Sequence, residues 1–164
     1  MLIAIVSWIH IAASVLSLCI GAVVLFRAKG TGTHRRHGRW YMSAMLVTNV
    51  TALGIYRTGV VFFPHWLAVV TLAVIAVGYW AVSARSIRRW LSVHMTCMVV
   101  SYYMLVGGAI NEAFLRIDVL QPYYPEGMPS PVFRMMHSIV GLAFGILLVV
   151  LLRRRRQWLP ESLG

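Results

Sequence analysis

The chain has 164 residues, of which 60% are hydrophobic and only 12% charged, with a mean hydropathy of +0.78. A soluble domain carries about 25% charged residues, so this composition argues against a soluble globular protein. Fifteen Lys and Arg against four Asp and Glu leave +11, a surplus that in so apolar a chain reads as membrane topology before nucleic-acid binding.

Five apolar stretches are long enough, or nearly so, to cross a bilayer as helices of roughly 20 residues. The first covers 2–26 and ends at Arg27-Ala28-Lys29-Gly30. No basic region precedes it, so it is expected to stay as a span and not to be removed as a signal peptide. Its Ser7, His10, Ser14, Ser17 and Gly21 recur at helical spacing and form one stripe facing other helices. The second covers 40–61, with Met45, Asn49, Ala52 and Tyr56 on one face. The third covers 65–83 and opens on His65 directly after Pro64. The fourth covers 91–113, with His94, Met98, Ser101, Leu105, Gly108 and Glu112 on a common stripe. The fifth covers 132–152, where His137, Gly141 and Gly145 contain a Gly-x-x-x-Gly. The expected fold is therefore all-α, a single domain over 1–164 built as a bundle of five transmembrane helices. No strand alternation supports a β-barrel. Cys19 and Cys97 both fall inside spans, which leaves no disulfide framework.

Charge sets the orientation. Arg27, Lys29, Arg35, Arg36, Arg39, Arg85, Arg88, Arg89 and the run Arg153 to Arg156 are twelve of the 15 cations, and all fall on one side of this five-span arrangement. The positive-inside rule places that side in the cytoplasm, with the N-terminus outside. Anionic lipid headgroups account for the charge without nucleic acid, and the expected location is a bacterial inner membrane.

Polar side chains inside spans carry whatever chemistry the sequence shows. His10 lies roughly 12 Å and His137 roughly 9 Å below the outer surface, at a rise of 1.5 Å per residue. Two imidazoles at matching depth on parallel helices suit bis-His ligation of haem b, with Arg57 and Arg134 placed for its propionates. Alternatively, His10, His65, Glu112 and His137 have the composition of a bare zinc or copper site, which could support hydrolysis of an amphiphile. A third possibility is that these histidines only hydrogen-bond neighbouring helices in a structural or accessory subunit. On the inner side, His34 and His37 read as headgroup contacts. His94 with Met98 or Cys97 offers soft donors for Cu(I). Whether His34, His37 and His94 form a second site is left open by spacing alone. Ser101, Tyr102 and Tyr103 suit interhelical hydrogen bonds or a quinone headgroup. Further candidate partners are a membrane subunit or a second copy of the chain.

One longer pattern is family-like: His10, then Gly-Thr-His-Arg-Arg-His-Gly-Arg-Trp-Tyr (32–41) and Ala-Met-Leu-Val-Thr-Asn-Val-Thr-Ala-Leu-Gly-Ile-Tyr-Arg (44–57). Phe-Pro-His-Trp-Leu-Ala (63–68) and His94-x-x-x-Met98-x-x-Ser101-Tyr102 follow, running on to Glu112. Over roughly residues 7–115 the chain resembles the bacterial predicted-membrane-protein family DUF2306. The resemblance implies a multi-span bundle and carries no assigned activity or site residue. The expected function is thus a haem- or metal-binding membrane protein with its centre in the outer half, acting in redox or electron transfer.

Overall fold

A computed structural model describes residues 1–55, 63–85, 88–124 and 130–155. Five helices follow one another: α1 (Leu2–Phe26), α2 (Gly32–Leu53), α3 (Phe63–Ala84), α4 (Trp90–Arg116) and α5 (Pro131–Arg154). A 3-10 turn at Gln121–Tyr123 links α4 towards α5, and the described residues contain no strand. Among the described residues four helices are long and apolar enough to cross a membrane: α1, α3, α4 and α5.

The expected second span, 40–61, is shifted. Thr31 accepts a hydrogen bond from the His34 amide as N-cap, so α2 starts eight residues earlier, in the basic segment. It ends at Leu53 before Gly54. Hydropathy detects only its apolar part, and the polar first turns are helical because of the cap. The apolar part, Tyr41–Leu53, is about 20 Å long at 1.5 Å per residue, short of a roughly 30 Å hydrocarbon core.

Around the bundle α1 packs on α2, α2 on α3, α3 on α4 and α4 on α1, with α5 against the outside of α4. Side-chain pairs fix the directions. Ser17 meets Thr48, and a Cβ on Gly21 would lie 3.0 Å from Tyr41, so α1 and α2 are antiparallel. Thr71 bonds Met104 while Gly78 accepts from His94, so α3 and α4 are antiparallel. Asn111 meets His137 and Ser92 meets Arg155, which sets α5 antiparallel to α4. Arg27, Lys29, the start of α2, Arg85, Arg88, Arg89 and the end of α5 consequently share one end of the bundle.

Lipid tails offer helices no hydrophobic reason to associate, so close contact of small residues and interhelical hydrogen bonds hold them together. Ser17 and Ser101 are fully buried, and Gly21 and Gly78 let neighbouring side chains approach the backbone. Tyr41 Oη and Ser101 Oγ lie 2.9 Å apart, and Tyr102 donates to the Leu18 carbonyl at 2.9 Å. These are the interhelical bonds expected of Ser101 and Tyr102. Tyr41, Met45, Ile75 and Leu105 form the core, with Met98 and Tyr102 packed on it. The described residues of the stripes on α1, α2 and α4 therefore face inward as expected, apart from Glu112, which is exposed; Tyr56 lies outside the described residues. On α5 no residue is buried, and Gly145 is exposed.

Candidate functional site

His10 projects from the small-residue face of α1 towards α2. Its Nδ1 donates to the Thr48 carbonyl at 2.9 Å and lies 3.2 Å from Thr51 Oγ1. A carbonyl can only accept, so Nδ1 carries the proton and Nε2 carries the lone pair. Ser14, one turn along, donates to the His10 carbonyl at 2.7 Å.

His137 turns to a different neighbour. Its Nε2 is 2.9 Å from Asn111 Oδ1 on α4, and its ring packs on Phe133 with centroids 4.6 Å apart. Gly107 on α4 lies beside that ring, where a Cβ would sit 3.8 Å from His137 Cε1, an ordinary contact distance. Phe133 in turn meets Phe114 edge-on at 5.2 Å and Tyr124 at 4.9 Å, placing aromatic rings at the end of the bundle opposite the basic one.

The remaining outer candidates are spread out. His65 is 4% exposed at the start of α3, packed inside the bundle. Glu112 is exposed and pairs with Arg116 one turn on along its own helix, a surface pair of small energetic weight. Arg134 is exposed on α5, and Arg57 lies outside the described residues. Among the described residues no three His, Cys, Asp or Glu side chains come close enough to share a metal ion. His10, His65, Glu112 and His137 thus do not assemble into one four-residue site. The physical reason is that Glu112 faces outward one turn before the end of α4, while His10 is held by α2 and His137 by α4.

The other end of the bundle carries a second group. His94 Nδ1 donates across the α3–α4 contact to the Gly78 carbonyl at 2.9 Å. His37 bonds its own helix, at the Thr33 carbonyl. His34 Nδ1 is buried and meets no hydrogen-bond partner among the described residues. Burial pushes the His34 imidazole down from 6.5 to about 4, and the Lys29 ammonium and His94 imidazole add to the effect. The unfolded chain therefore binds a proton before the folded one does, so stability rises with pH between about 4 and 6.5 and is lost as pH falls through that window. The unfolding midpoint of the detergent-solubilised protein is expected to drop between these values, and less steeply in His34→Gln. Equal slopes would rule out His34 as the source.

Sequence spacing did not single out Asn111, Thr48 or Thr51 as partners of the histidines. An intramembrane Asn next to Glu112 was the available signal for the first. Thr48 and Thr51 gave none, because their bonds depend on which helix lies opposite. Of the known proteins, the family described as predicted membrane protein (DUF2306) matches residues 7–151. No curated protein and no solved structure matches the chain.

Proposed function

We propose, on the premise that the chain belongs to the predicted membrane protein family DUF2306, that it binds haem b in the outer half of the bilayer and acts in electron transfer. The observation that carries the proposal is the His10 imidazole. A main-chain carbonyl on the next helix holds its Nδ1–H at 2.9 Å, which orients the ring and leaves Nε2 as the ligating nitrogen. Metal-bound histidines commonly donate their other ring N–H to a backbone carbonyl in this way. His137 is the proposed opposite ligand, its Nε2 giving up Asn111 Oδ1 for the iron, and Arg134 and Arg57 are the proposed propionate partners. Haem held by these residues would supply one-electron chemistry, for which a quinone or a membrane subunit is the proposed partner. The bare zinc or copper alternative with hydrolysis needs His65 and Glu112 beside the same centre, and the pairing of Glu112 with Arg116 does not favour it.

The test is an absorption spectrum with metal analysis on protein purified from a bacterial membrane. A Soret band that sharpens on reduction is expected, with its amplitude falling at least about tenfold in His10→Ala. That loss corresponds to 1.4 kcal/mol or more of binding free energy. A colourless, iron-free sample rejects haem; stoichiometric zinc or copper instead would restore the bare-metal alternative. A second reading draws on the bond between His137 and Asn111: both outer histidines would serve as interhelical clamps in an accessory subunit. It predicts an iron-free protein that His137→Leu destabilises.

The proposed orientation puts the basic end in the cytoplasm, against anionic lipid. A fluorescent reporter fused after Gly164 should then be bright and a phosphatase at the same point inactive. The reverse pattern would invert the protein.

A further inference from the structure

At the basic end of the bundle, the C-terminal turns of α5 form an open cleft of about 360 Å³, lined by Val149, Leu152, Arg153 and Arg155. That volume is at the small end of ligand clefts. Val149, Leu152 and Arg153 share a helix face at spacings of three and four, so apolar and cationic side chains follow one another along one wall. The arginines stand where the apolar run of α5 stops. In a bilayer that is the level of the headgroups, with acyl chains alongside Leu152 and Val149.

Three observations separate this cleft from the ordinary basic rim of a membrane protein. Arg155 does not extend freely into water. Its Nη1 donates to Ser92 Oγ on α4 at 3.1 Å, which holds the guanidinium in place and leaves its other N–H donors for an acceptor. The hydroxyl is a neutral partner, so the charge of the guanidinium is not met there. Among the described residues the acids are Glu112 and Asp118, both at the opposite end of the bundle, and neither can supply a counter-charge. Finally, α5 buries no residue and lies against α4 outside the four-helix ring, so its basic end has little packing to hold it.

We propose that the cleft binds one anionic phospholipid, its phosphate between Arg153 and Arg155 and an acyl chain along Leu152 and Val149, and that this lipid fastens the end of α5 to α4. Charge complementarity selects the headgroup. Guanidinium forks suit phosphate oxygens, and basic pockets between membrane helices are where such headgroups bind. A choline or ethanolamine headgroup would add a cation to a rim that already holds Arg88 and Arg89 just before α4. A free phosphate ion would leave the apolar half of the cleft unfilled. The inference needs the bilayer and the charge of the rim; it is independent of haem and holds for either reading of the outer histidines.

Native mass spectrometry of the intact, delipidated protein in detergent tests it, with phosphatidylglycerol, phosphatidylcholine of the same chains, or glycerol phosphate added. One phosphatidylglycerol per chain is expected to stay bound, at least about tenfold more tightly than phosphatidylcholine, and to raise the thermal unfolding midpoint. Arg155→Gln and Arg153→Gln should each weaken it about tenfold and remove most of that rise. Arg36→Gln takes the same charge from α2, across the ring, and should leave both unchanged. Arg155→Lys keeps the charge without the fork and should fall between. Arg153 is exposed, so Arg153→Gln decides the matter even where Arg155→Gln does not fold. Equal loss in Arg36→Gln would assign the lipid to the field of the whole rim and overturn the site. Equal affinity for phosphatidylcholine overturns the anionic headgroup, and equal affinity for glycerol phosphate gives the cleft to a free phosphate. Tighter lipid binding in Glu161→Gln would put the chain's own C-terminal tail there, against the proposal, as would a protein that retains no lipid. An iron-free protein that holds phosphatidylglycerol in this way rejects the outer haem and leaves the lipid site standing.

Discussion

Leucine in place of Gly78 should lower the unfolding free energy of the detergent-solubilised protein by about 1–3 kcal/mol, the usual cost of forcing extra carbons into a packed contact. A Cβ at that position would fall 2.6 Å from Met98 Cε and 2.7 Å from Cys97 Cβ. The Met98 terminus can swing away, but Cys97 Cβ is fixed to the α4 backbone, so the two helices must part. Parting them also stretches the bond from His94 to the Gly78 carbonyl, so the loss is not confined to van der Waals contact. Gly145 is the internal control. It is exposed on α5 with nothing within 4 Å of its would-be Cβ among the described residues. Leucine there should leave the unfolding free energy within about 0.5 kcal/mol of wild type. Equal behaviour of the two variants would mean that α3 and α4 do not approach as described.

Phe114→Ala is the second large effect, expected to cost about 3 kcal/mol or more by the precedent of buried aromatic truncations. Phe114 is among the largest fully buried side chains, and its ring meets Phe133 edge-on at 5.2 Å. Phe133 touches Tyr124 and His137 in turn, so the cavity would loosen α5 where it has its densest ring contacts. Because α5 buries no residue of its own, it has little else to fall back on. Phe26→Ala, at a ring that is 81% exposed, should cost under about 0.5 kcal/mol. Denaturant titration of the two variants side by side measures the difference, and similar midpoints would remove Phe114 from the outer core.

Apolar length made α1 legible to the residue, and α3, α4 and α5 to within about three residues, because the lipid-facing surface dominates hydropathy in those segments. The start of α2 was not legible that way. Its first turns are basic, and what makes them helical is a threonine cap, a local bond that an averaged hydropathy does not weigh. Small-residue stripes told which faces turn inward, as Ser17, Gly21 and Ser101 bear out. They could not tell which helix lies opposite. Depth alone matches His10 with His137, whereas the bonds the structure shows are His10 to Thr48 and His137 to Asn111. Glu112 failed for a related reason: periodicity continues the stripe to the helix end, but there Arg116 offers a partner at the surface. His34 and His94 were noticed one at a time, and only the antiparallel order of the helices brings them to the same end.

The first turns of α2 have no acidic residue and carry His34, Arg35 and Arg36, with Arg39 in the next turn. A helix N-terminus already bears about half a positive charge, so these cations repel the very peptide dipoles they are built on. One hydroxyl cap offsets only part of that. The segment is therefore a helix whose own electrostatics favour its unwinding, and an anion settling among the arginines would tip it back. By linkage, whatever supplies that anion becomes a reactant in the folding equilibrium. Of the five helices, the start of α2 is the stretch whose order is written partly in the composition of its surroundings.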